Sequence, residues 1–502
     1  MPKEVELKLW LPPGGREKVE AVPAFVAAEA AISQQVTTYF DTPELSLAGV
    51  GFSLRVRRIG ERWVQTLKAA TTGQGPASQR DEWEWPVASS RPVIDCLQET
   101  PVADLVPLIG ARAQPVFATN IQRSSRTLQL EGGAIVEASI DEGVIETESA
   151  RSPVRELELE LKKGRIAPLY RLALALHETA WLRIDPESKA SRDYRLWAGL
   201  KPSARKAAHL DLQNGISAAE AFRCMIGTGL AHLVDNVPPA LLGDVEGVHQ
   251  MRIAVRRLRS ALKLFETELA SDPGTHFDDE LRQLGHVLGD GRDWDVFTEQ
   301  TIPAAVSSQS SDQDLKALGE AASRMREDCH SRIKDALQSP RFTSLVLGLA
   351  AWTEDGSLRP EQLGQRLHKK VEKLAPDLLD RMARRAHKRG VHITHRSGEE
   401  LHALRKALKK LRYDADYLSG LYRRKPTKRY RDRCHELQTL LGEINDACMT
   451  PRLAEAVAAN ARAELDPAVA RLAEWSDAQR TVAMRRLKAA WEDFRSARPP
   501  WP

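Results

Sequence analysis

Two hydrophobic periods divide the chain. Up to about residue 200 the apolar positions alternate with polar ones, as in strands that show opposite faces at successive residues. In Glu4-Val5-Glu6-Leu7-Lys8, the residues Glu4, Glu6 and Lys8 share one face, and Val5, Leu7 and Leu9 share the other. Pro12-Pro13-Gly14-Gly15 ends this strand, and residues 16–32 suit a short helix. Further strands follow. Arg55 and Arg57 alternate with Leu54 and Val56. Lys68 ends the strand that starts at Trp63. Arg80, Glu82 and Glu84 alternate with Trp83 and Trp85. Val136–Asp141 puts Glu137, Ser139 and Asp141 on one face. Arg155–Lys162 sets Glu156, Glu158, Glu160 and Lys162 against Leu157, Leu159 and Leu161. A turn at Gly164 leads into an amphipathic helix over Ile166–Leu182.

After Lys201-Pro202-Ser203, which reads as a linker, the period becomes helical and stays so. This half repeats itself. Val248-His249-Gln250-Met251-Arg252 through Arg259 matches Leu401-His402-Ala403-Leu404-Arg405 through Arg412, an offset of 153 residues from His249 to His402. Leu288-Gly289-Asp290-Gly291-Arg292-Asp293 matches Leu441-Gly442-Glu443-Ile444-Asn445-Asp446 at the same offset. At about 100° per residue, His249, Arg252, Arg256 and Arg259 form a stripe opposite Met251, Val255, Leu258 and Leu262. His402, Arg405, Lys409 and Arg412 form the same stripe opposite Leu404, Leu408 and Leu411. Such stripes are commonly solvated helix faces, but two equivalent ones favour a shared anion-binding surface. Arg381/Arg384/Arg385/Lys388 and Arg423/Arg424/Lys428/Arg431 extend the basic character. Asn445 replaces Arg292 and Cys448 replaces Asp295, so the copies need not contribute equally.

A length of 502 residues implies two or three domains. Hydrophobic content of 42% and charged content of 28% describe a soluble globular protein. The apolar run around Leu345–Trp352 falls short of the roughly 20 residues of a membrane span, so no membrane role is expected. Charges at Lys3, Glu4, Glu6 and Lys8 leave no signal-peptide core, and five scattered cysteines without a Cys-x-x-Cys pair suit reduced thiols in a cytoplasm. Net charge changes the picture more. Residues 1–200 hold 24 Lys+Arg against 27 Asp+Glu, whereas the remainder holds 49 against 42. The helical half is therefore the better polyanion binder.

The polar strand faces are rich in Glu and Arg and poor in Ser, Thr and Gln. An ordinary solvated sheet face accounts for any one of them. A closed barrel with a charged lumen accounts for all: acids for cations, bases for an anionic substrate, and helices over the apolar outside. Taken in order, Glu4-x-Glu6-x-Lys8, Arg55/Arg57, Lys68, Arg80-x-Glu82-x-Glu84, Glu137…Asp141, Glu156–Lys162 and Ser188-Lys189-Ala190-Ser191-Arg192 resemble the CYTH superfamily of triphosphate tunnel metalloenzymes. The resemblance implies an eight-stranded antiparallel β-barrel tunnel that takes a triphosphate together with Mg²⁺ or Mn²⁺. On that pattern Lys8, Arg55, Arg57, Lys68, Arg80, Arg123 and Lys189 bind phosphate. Glu4, Glu6, Glu156 and Glu158 are the leading metal ligands, with Glu82, Glu84, Glu137 and Asp141 behind them. Glu4, Glu6, Lys8, Glu156 and Glu158 form the catalytic set. Which carboxylate positions the attacking water is left open. No Ser, Cys or His nucleophile motif is present, which favours direct hydrolysis.

The second half resembles the CHAD domain, a histidine-marked helical domain often found beside CYTH, through Val248-His-Gln-Met-Arg-x-x-x-Arg-Arg-Leu-Arg259 and its copy. That resemblance implies polyphosphate binding by the two stripes. His249 and His402 either touch phosphate or serve as buried hydrogen-bonding groups. The expected class is α+β: a barrel with covering helices over residues 1–200, a linker over 201–214, and an all-α domain over 215–502 whose duplicated helical bundles span about 215–340 and 360–502. The expected function is metal-dependent hydrolysis of inorganic triphosphate beside a polyphosphate-binding domain. A nucleoside or thiamine triphosphatase or an adenylate cyclase in the same tunnel is an alternative, as is a non-catalytic polyphosphate-binding adaptor. Without aromatic residues interleaved among the basic clusters, nucleic acid is not the expected partner.

Overall fold

A computed structural model describes residues 4–70, 75–147, 151–269, 272–308, 313–355, 365–461 and 464–501. Two compact units divide the chain: Met1–Ser203 with Gln338–Asp355, and Ala204–Leu337 with Gly356–Pro502.

The first unit is a nearly closed antiparallel barrel. Its strands are β1 (Glu4–Trp10), β2 (Ala31–Asp41), β3 (Phe52–Ile59), β4 (Arg62–Ala69), β5 (Ser78–Arg80), β6 (Glu82–Val87), β7 (Gln114–Gln129), β8 (Ile135–Glu146), β9 (Arg151–Lys163) and β10 (Arg183–Ile184). The sheet order is β10-β1-β9-β8-β7-β2-β3-β4-β6, and β5 pairs with β1. β5 and β6 are one strand broken at Asp81. The β6 part pairs with β4, while the β5 part pairs with β1, Glu4 lying opposite Arg80. This break returns the sheet to its first strand. Eight strands thus encircle the lumen, as expected, and β10 is a short addition on the same edge of β1.

The alternation dictates the two faces. Leu7, Leu9, Leu54, Val56, Leu67, Val136, Ile140, Leu157 and Leu159 are buried outside the barrel wall. The acids and bases between them line the inside. Residues 16–32 do not form one helix: Pro23 starts a second short helix, Pro23–Val26, after Gly15–Glu20, and β2 already begins at Ala31. The turn at Gly164 has φ 98°, and a Cβ there would stand 2.8 Å from the Ala134 Cα. Beyond it, the cover helix Ala167–Ala180 buries Leu169, Leu172, Ala173 and Leu176.

A helix from far along the chain, Pro340–Glu354, packs against the cover helix and completes this unit. It contains the apolar run around Leu345–Trp352. The two ring nitrogens of His177 hydrogen-bond to the carbonyl oxygens of Leu182 and Pro340 at 2.7 and 2.9 Å. The sequence pattern puts this segment at the junction of the helical repeats and gives no sign of its partner.

The second unit is helical, and the repeat extends through it. Helices Ala218–Asp235, Val245–Leu264, Asp272–Val296 and Gln313–Gln338 have counterparts in Val371–Gly390, Gly398–Tyr417, Arg424–Asn460 and Asp466–Ser496. Ser217 forms an antiparallel bridge with Lys370, its own counterpart at the offset of 153, as expected near an approximate two-fold axis. Asp244 and Ser397, also counterparts, cap the two signature helices: each side chain accepts from a backbone N–H of the first turn. Among the described residues, no helix is long and apolar enough to cross a membrane.

Candidate active site

The lumen side chains are mutually neutralised. Glu4 and Glu6 of β1 each accept from Arg80, at 2.6 Å in both cases. Lys68 pairs with Glu4 at 3.3 Å and with Glu82 at 2.9 Å. Arg55 reaches Glu82 at 3.6 Å. Lys8 lies 3.7 Å from Glu6 and 3.3 Å from Glu158. Arg123 grips Asp141 with two hydrogen bonds, 2.7 and 2.6 Å, and Glu158 with a third of 2.5 Å. Strand register produces this layout: Lys8 stands opposite Glu158, and Asp141 opposite Glu156.

The helix Lys189–Trp197 supplies the remaining cations. Ser188 caps it by accepting from the Ser191 N–H. On its apolar face, Ala190, Tyr194 and Trp197 pack with Tyr39, Val116 and Phe117. Tyr194 meets Phe117 edge-on at 5.0 Å. Lys189 and Arg192, three residues apart, point into the acids. The Lys189 ammonium lies 2.7 Å from Asp141, 2.8 Å from Glu156 and 2.6 Å from Glu158. Arg192 donates to Glu156 at 2.5 Å and lies 3.5 Å from Asp185.

Electrostatics divide the lumen in two. Burial lowers the Arg57 guanidinium to about 9, and Arg55 and Arg123 add to the shift. Burial, Arg80 and Arg55 lower Lys68 to about 8, against the pull of Glu4 and Glu82. Both cations are buried beside other cations. On the other side burial would raise Glu158, but Lys189, Lys8 and Arg123 hold it well below the carboxylate range. Lys189 is likewise held well above its ordinary value against burial by Asp141, Glu156 and Glu158. On one wall neighbouring cations repel one another; on the other each acid is closely held by cations.

Most of the expected tunnel residues come together here: Glu4, Glu6, Lys8, Arg55, Arg57, Lys68, Arg80, Glu82, Arg123, Asp141, Glu156, Glu158 and Lys189. Two do not join the network. Glu84 is exposed and accepts from Thr66, because β6 carries it outward to the rim. Glu137 lies beside Lys162 at 3.9 Å and opposite Glu160, two strand positions beyond Ser139. Lys189, expected on phosphate, is held by carboxylates in this structure. Asp185 and Arg192 were not assigned from sequence. Asp185 follows a two-residue strand too short for alternation to register. The spacing of Lys189 and Arg192 on one helical face was the available signal.

The donor set suits a hard divalent cation, since it consists of carboxylate oxygens. Glu4 and Glu6 on β1, with Glu156 and Glu158 on the neighbouring β9, would hold it. Among the described residues, however, no three His, Cys, Asp or Glu side chains form a ready metal-binding group. Every lumen acid on these two strands already has a basic partner.

In the helical unit the signature helices Val245–Leu264 and Gly398–Tyr417 pack together, with the Ser260 hydroxyl 2.7 Å from Asp414. The stripes meet there. Lys409 is lowered to about 6, by burial first and then by Arg256, Arg405 and Arg252. The repeated glycines explain how the arginines fit. A Cβ on Gly289 would stand 2.9 Å from Arg252, and one on Gly442 would stand 3.2 Å from Arg405. Arg252 lies 3.5 Å from Asp293. Arg259 and Arg412 have local partners instead: Asp278 at 2.7 Å, and Gln438 at 3.0 Å with Asp416 at 3.6 Å. His402 hydrogen-bonds to Asn445 at 2.5 Å, whereas His249 faces Arg292, the residue that Asn445 replaces. Asp295, which Cys448 replaces, is buried against Arg326 and His330, each at 2.8 Å.

Comparison with known proteins matches residues 2–194 to the CYTH domain and residues 224–455 to the CHAD domain. An uncharacterized protein of Mycobacterium tuberculosis is 26% identical over 516 residues, spanning 94% of this chain and 93% of its own. An inorganic triphosphatase of Haemophilus influenzae is 28% identical over 204 residues, 39% of this chain and 55% of its own. The crystal structure of the CHAD domain from the plant Ricinus communis aligns with a TM-score of 0.53 at 28% identity, covering 59% of this chain and 98% of that one.

Proposed function

Because the chain belongs to the CYTH family over residues 2–194 and to the CHAD family over residues 224–455, we propose that it hydrolyses inorganic triphosphate to diphosphate and phosphate with Mg²⁺ or Mn²⁺, and that its helical unit binds polyphosphate. One observation carries the tunnel reading: Arg55, Arg57 and Lys68 crowd a wall where burial and mutual repulsion lower two of them. An anion with several charges relieves that repulsion. The likeness to a triphosphatase over the barrel region supports the same substrate class.

The residues divide the work. Arg55 and Arg57 present planar donor forks to phosphoryl oxygens; Lys8 and Lys68 act as point charges. Arg80 and Arg123 keep the carboxylates of Glu4, Glu6, Asp141 and Glu158 oriented. Glu4, Glu6, Glu156 and Glu158 would hold the cation, which when bound stabilises charge developing on the phosphoryl oxygens. A lumen carboxylate accepts the proton of the attacking water. In the helical unit, Arg252, Arg256, Arg405 and Lys409 form the polyanion surface, with His249 and His402 at its edge. Arg259 and Arg412, which have local partners, contribute less.

The test is phosphate release from triphosphate, ATP, thiamine triphosphate and long polyphosphate, with and without Mg²⁺ or Mn²⁺. Triphosphate turnover should depend on the metal and collapse in Glu4→Gln and Glu6→Gln. Undiminished turnover in both variants refutes the site. Absence of turnover with every substrate and metal leaves the adaptor reading in its place.

A further inference from the structure

We propose that Glu137 and Glu160, on the lip of the open end of the tunnel, limit the length of phosphate chain that the barrel accepts: a triphosphate lies wholly among the interior cations, whereas a longer chain must hold a charged phosphoryl group beside these two acids. The inference rests on the triphosphate reading of the tunnel and assigns the residues that discriminate within that substrate class.

Exposure locates the open end. Along the lumen face of β9 the side chains become steadily more accessible: Glu156 is 1% exposed, Glu158 11%, Glu160 25% and Lys162 42%. On the neighbouring β8, Asp141 is 1% exposed and Glu137 35%. Glu137 stands directly opposite Glu160, and Glu160 opposite Glu6 of β1, so the two acids lie side by side on the barrel wall. Arg55 and Lys68 lie deeper, both more buried than Glu160. The other end is filled. Tyr39 and Phe117 share the lumen face with Arg55 and pack against Ala190, Tyr194 and Trp197.

The lip is negative. Among the described residues, Lys162 is the single base on both acids, 2.6 Å from Glu160 and 3.9 Å from Glu137. Glu84, at the rim on β6, adds a third acid, held by the Thr66 hydroxyl at 3.1 Å. A mouth that only gathered polyanions would carry bases. Acids there slow the entry of every phosphate chain and are of use only in telling chains apart, as the repulsive element by which a site rejects a close relative of its ligand. Position along the strand makes the discrimination one of length. Lys8 stands opposite Glu158, and Glu160 follows Glu158 by two residues, about 6.8 Å nearer the mouth. A triphosphate held at the level of Lys8, Arg55 and Lys68 leaves the lip unoccupied. Each further phosphoryl group brings another negative charge towards it. Glu137, which stands outside the lumen network, thereby has work at the entrance.

The experiment compares inorganic tetraphosphate with triphosphate on the full-length protein, as the ratio of their kcat/KM values, so that any general loss of activity cancels. Wild type should prefer triphosphate. Glu160→Gln should raise the ratio of tetraphosphate to triphosphate about threefold, the effect of one screened unit charge at this range. Glu137→Gln combined with Glu160→Gln should raise it about tenfold, and Glu160→Lys should exceed Glu160→Gln. Glu146→Gln is the control. It removes an exposed acid from the outer face at the far end of β8 and should leave the ratio within about twofold. A second readout needs no turnover: the rise in the barrel melting temperature that each anion produces without metal, which should shift towards tetraphosphate in the same order of variants. An unmoved ratio in the double variant overturns the inference, as does an equal gain in Glu146→Gln or a wild type that prefers tetraphosphate. If triphosphate is not hydrolysed but the melting shifts follow the stated order, the triphosphatase reading falls and the lip stands. If triphosphate is hydrolysed and both readouts stay fixed, the lip alone falls.

Discussion

Glu158→Gln is the most informative single change in the barrel. The Glu158 carboxylate is shared by Lys8, Arg123 and Lys189 at 3.3, 2.5 and 2.6 Å. Its side chain is 11% exposed, so solvent screens it little. Glutamine has nearly the same shape and keeps one acceptor, but it leaves three buried cations short of one negative charge. Breaking a buried ion pair by removing one partner typically costs about 3–5 kcal/mol. For a unit of this size, each kcal/mol moves the melting temperature by about 2–4 °C, giving an expected loss of roughly 6–20 °C for the barrel transition. Calorimetry of the full chain should show that transition alone moving. Triphosphate without metal should then rescue the variant more than it stabilises wild type, because it restores the missing charge. A ligand at 100 times its Kd contributes about 2.7 kcal/mol. The depressed carboxylate also makes wild type lose stability as pH falls below the ordinary carboxylate range, and Glu158→Gln should flatten that decline. If the variant melts within a degree or two of wild type and triphosphate rescues neither preferentially, the neutralised lumen is not what holds this barrel together.

Two further outcomes concern the helical unit. Arg256→Ala with Lys409→Ala should weaken binding of long polyphosphate by about tenfold or more, the effect of removing one or two charge-assisted hydrogen bonds to phosphate, whereas Arg259→Ala, which removes a residue already paired with Asp278, should change it less than about threefold; equal losses in filter binding would refute the division of the stripe. Asp414 is raised to about 7 by burial, against the pull of Ser260, Lys410 and Arg381. Its contribution is complete at low pH and is lost as pH rises towards 7, so Asp414→Asn should remove a decline of a few kcal/mol that wild type shows between about pH 4 and 8 in denaturant melts, and a wild-type profile that is flat or rising over that range would count against it.

The charged faces were legible because period two is a local property. Residue parity alone puts Glu4, Glu6 and Lys8 together, and the same holds for Glu156 and Glu158. Parity gives the face but not the depth along the tunnel, which is why Glu84 and Glu137 share their neighbours' parity and still lie outside the network. Pairing is less local. Nothing near Lys189 announces that its ammonium meets Asp141 and Glu158, since that meeting depends on where a helix end lands on a curved sheet. The break at Asp81 is also invisible as a closure device, because its purpose appears only once β1 is its neighbour. In the helical half the duplication was legible down to the glycines, and Gly289 and Gly442 acquire a reason when Arg252 and Arg405 are seen against them.

The pairing of β1 bears on how the protein is made. β1 precedes the other described strands in the chain, yet one of its edges waits for β9, with Glu6 meeting Glu160, and the cover helix behind β9 waits longer still for Pro340–Glu354. The nascent barrel therefore carries a charged, half-paired first strand while most of the first helical repeat is being translated. Pairings so distant in sequence close slowly and leave edges open to other chains. Truncation before residue 355, even with every lumen residue retained, should yield a barrel domain that is harder to obtain soluble than the full-length protein.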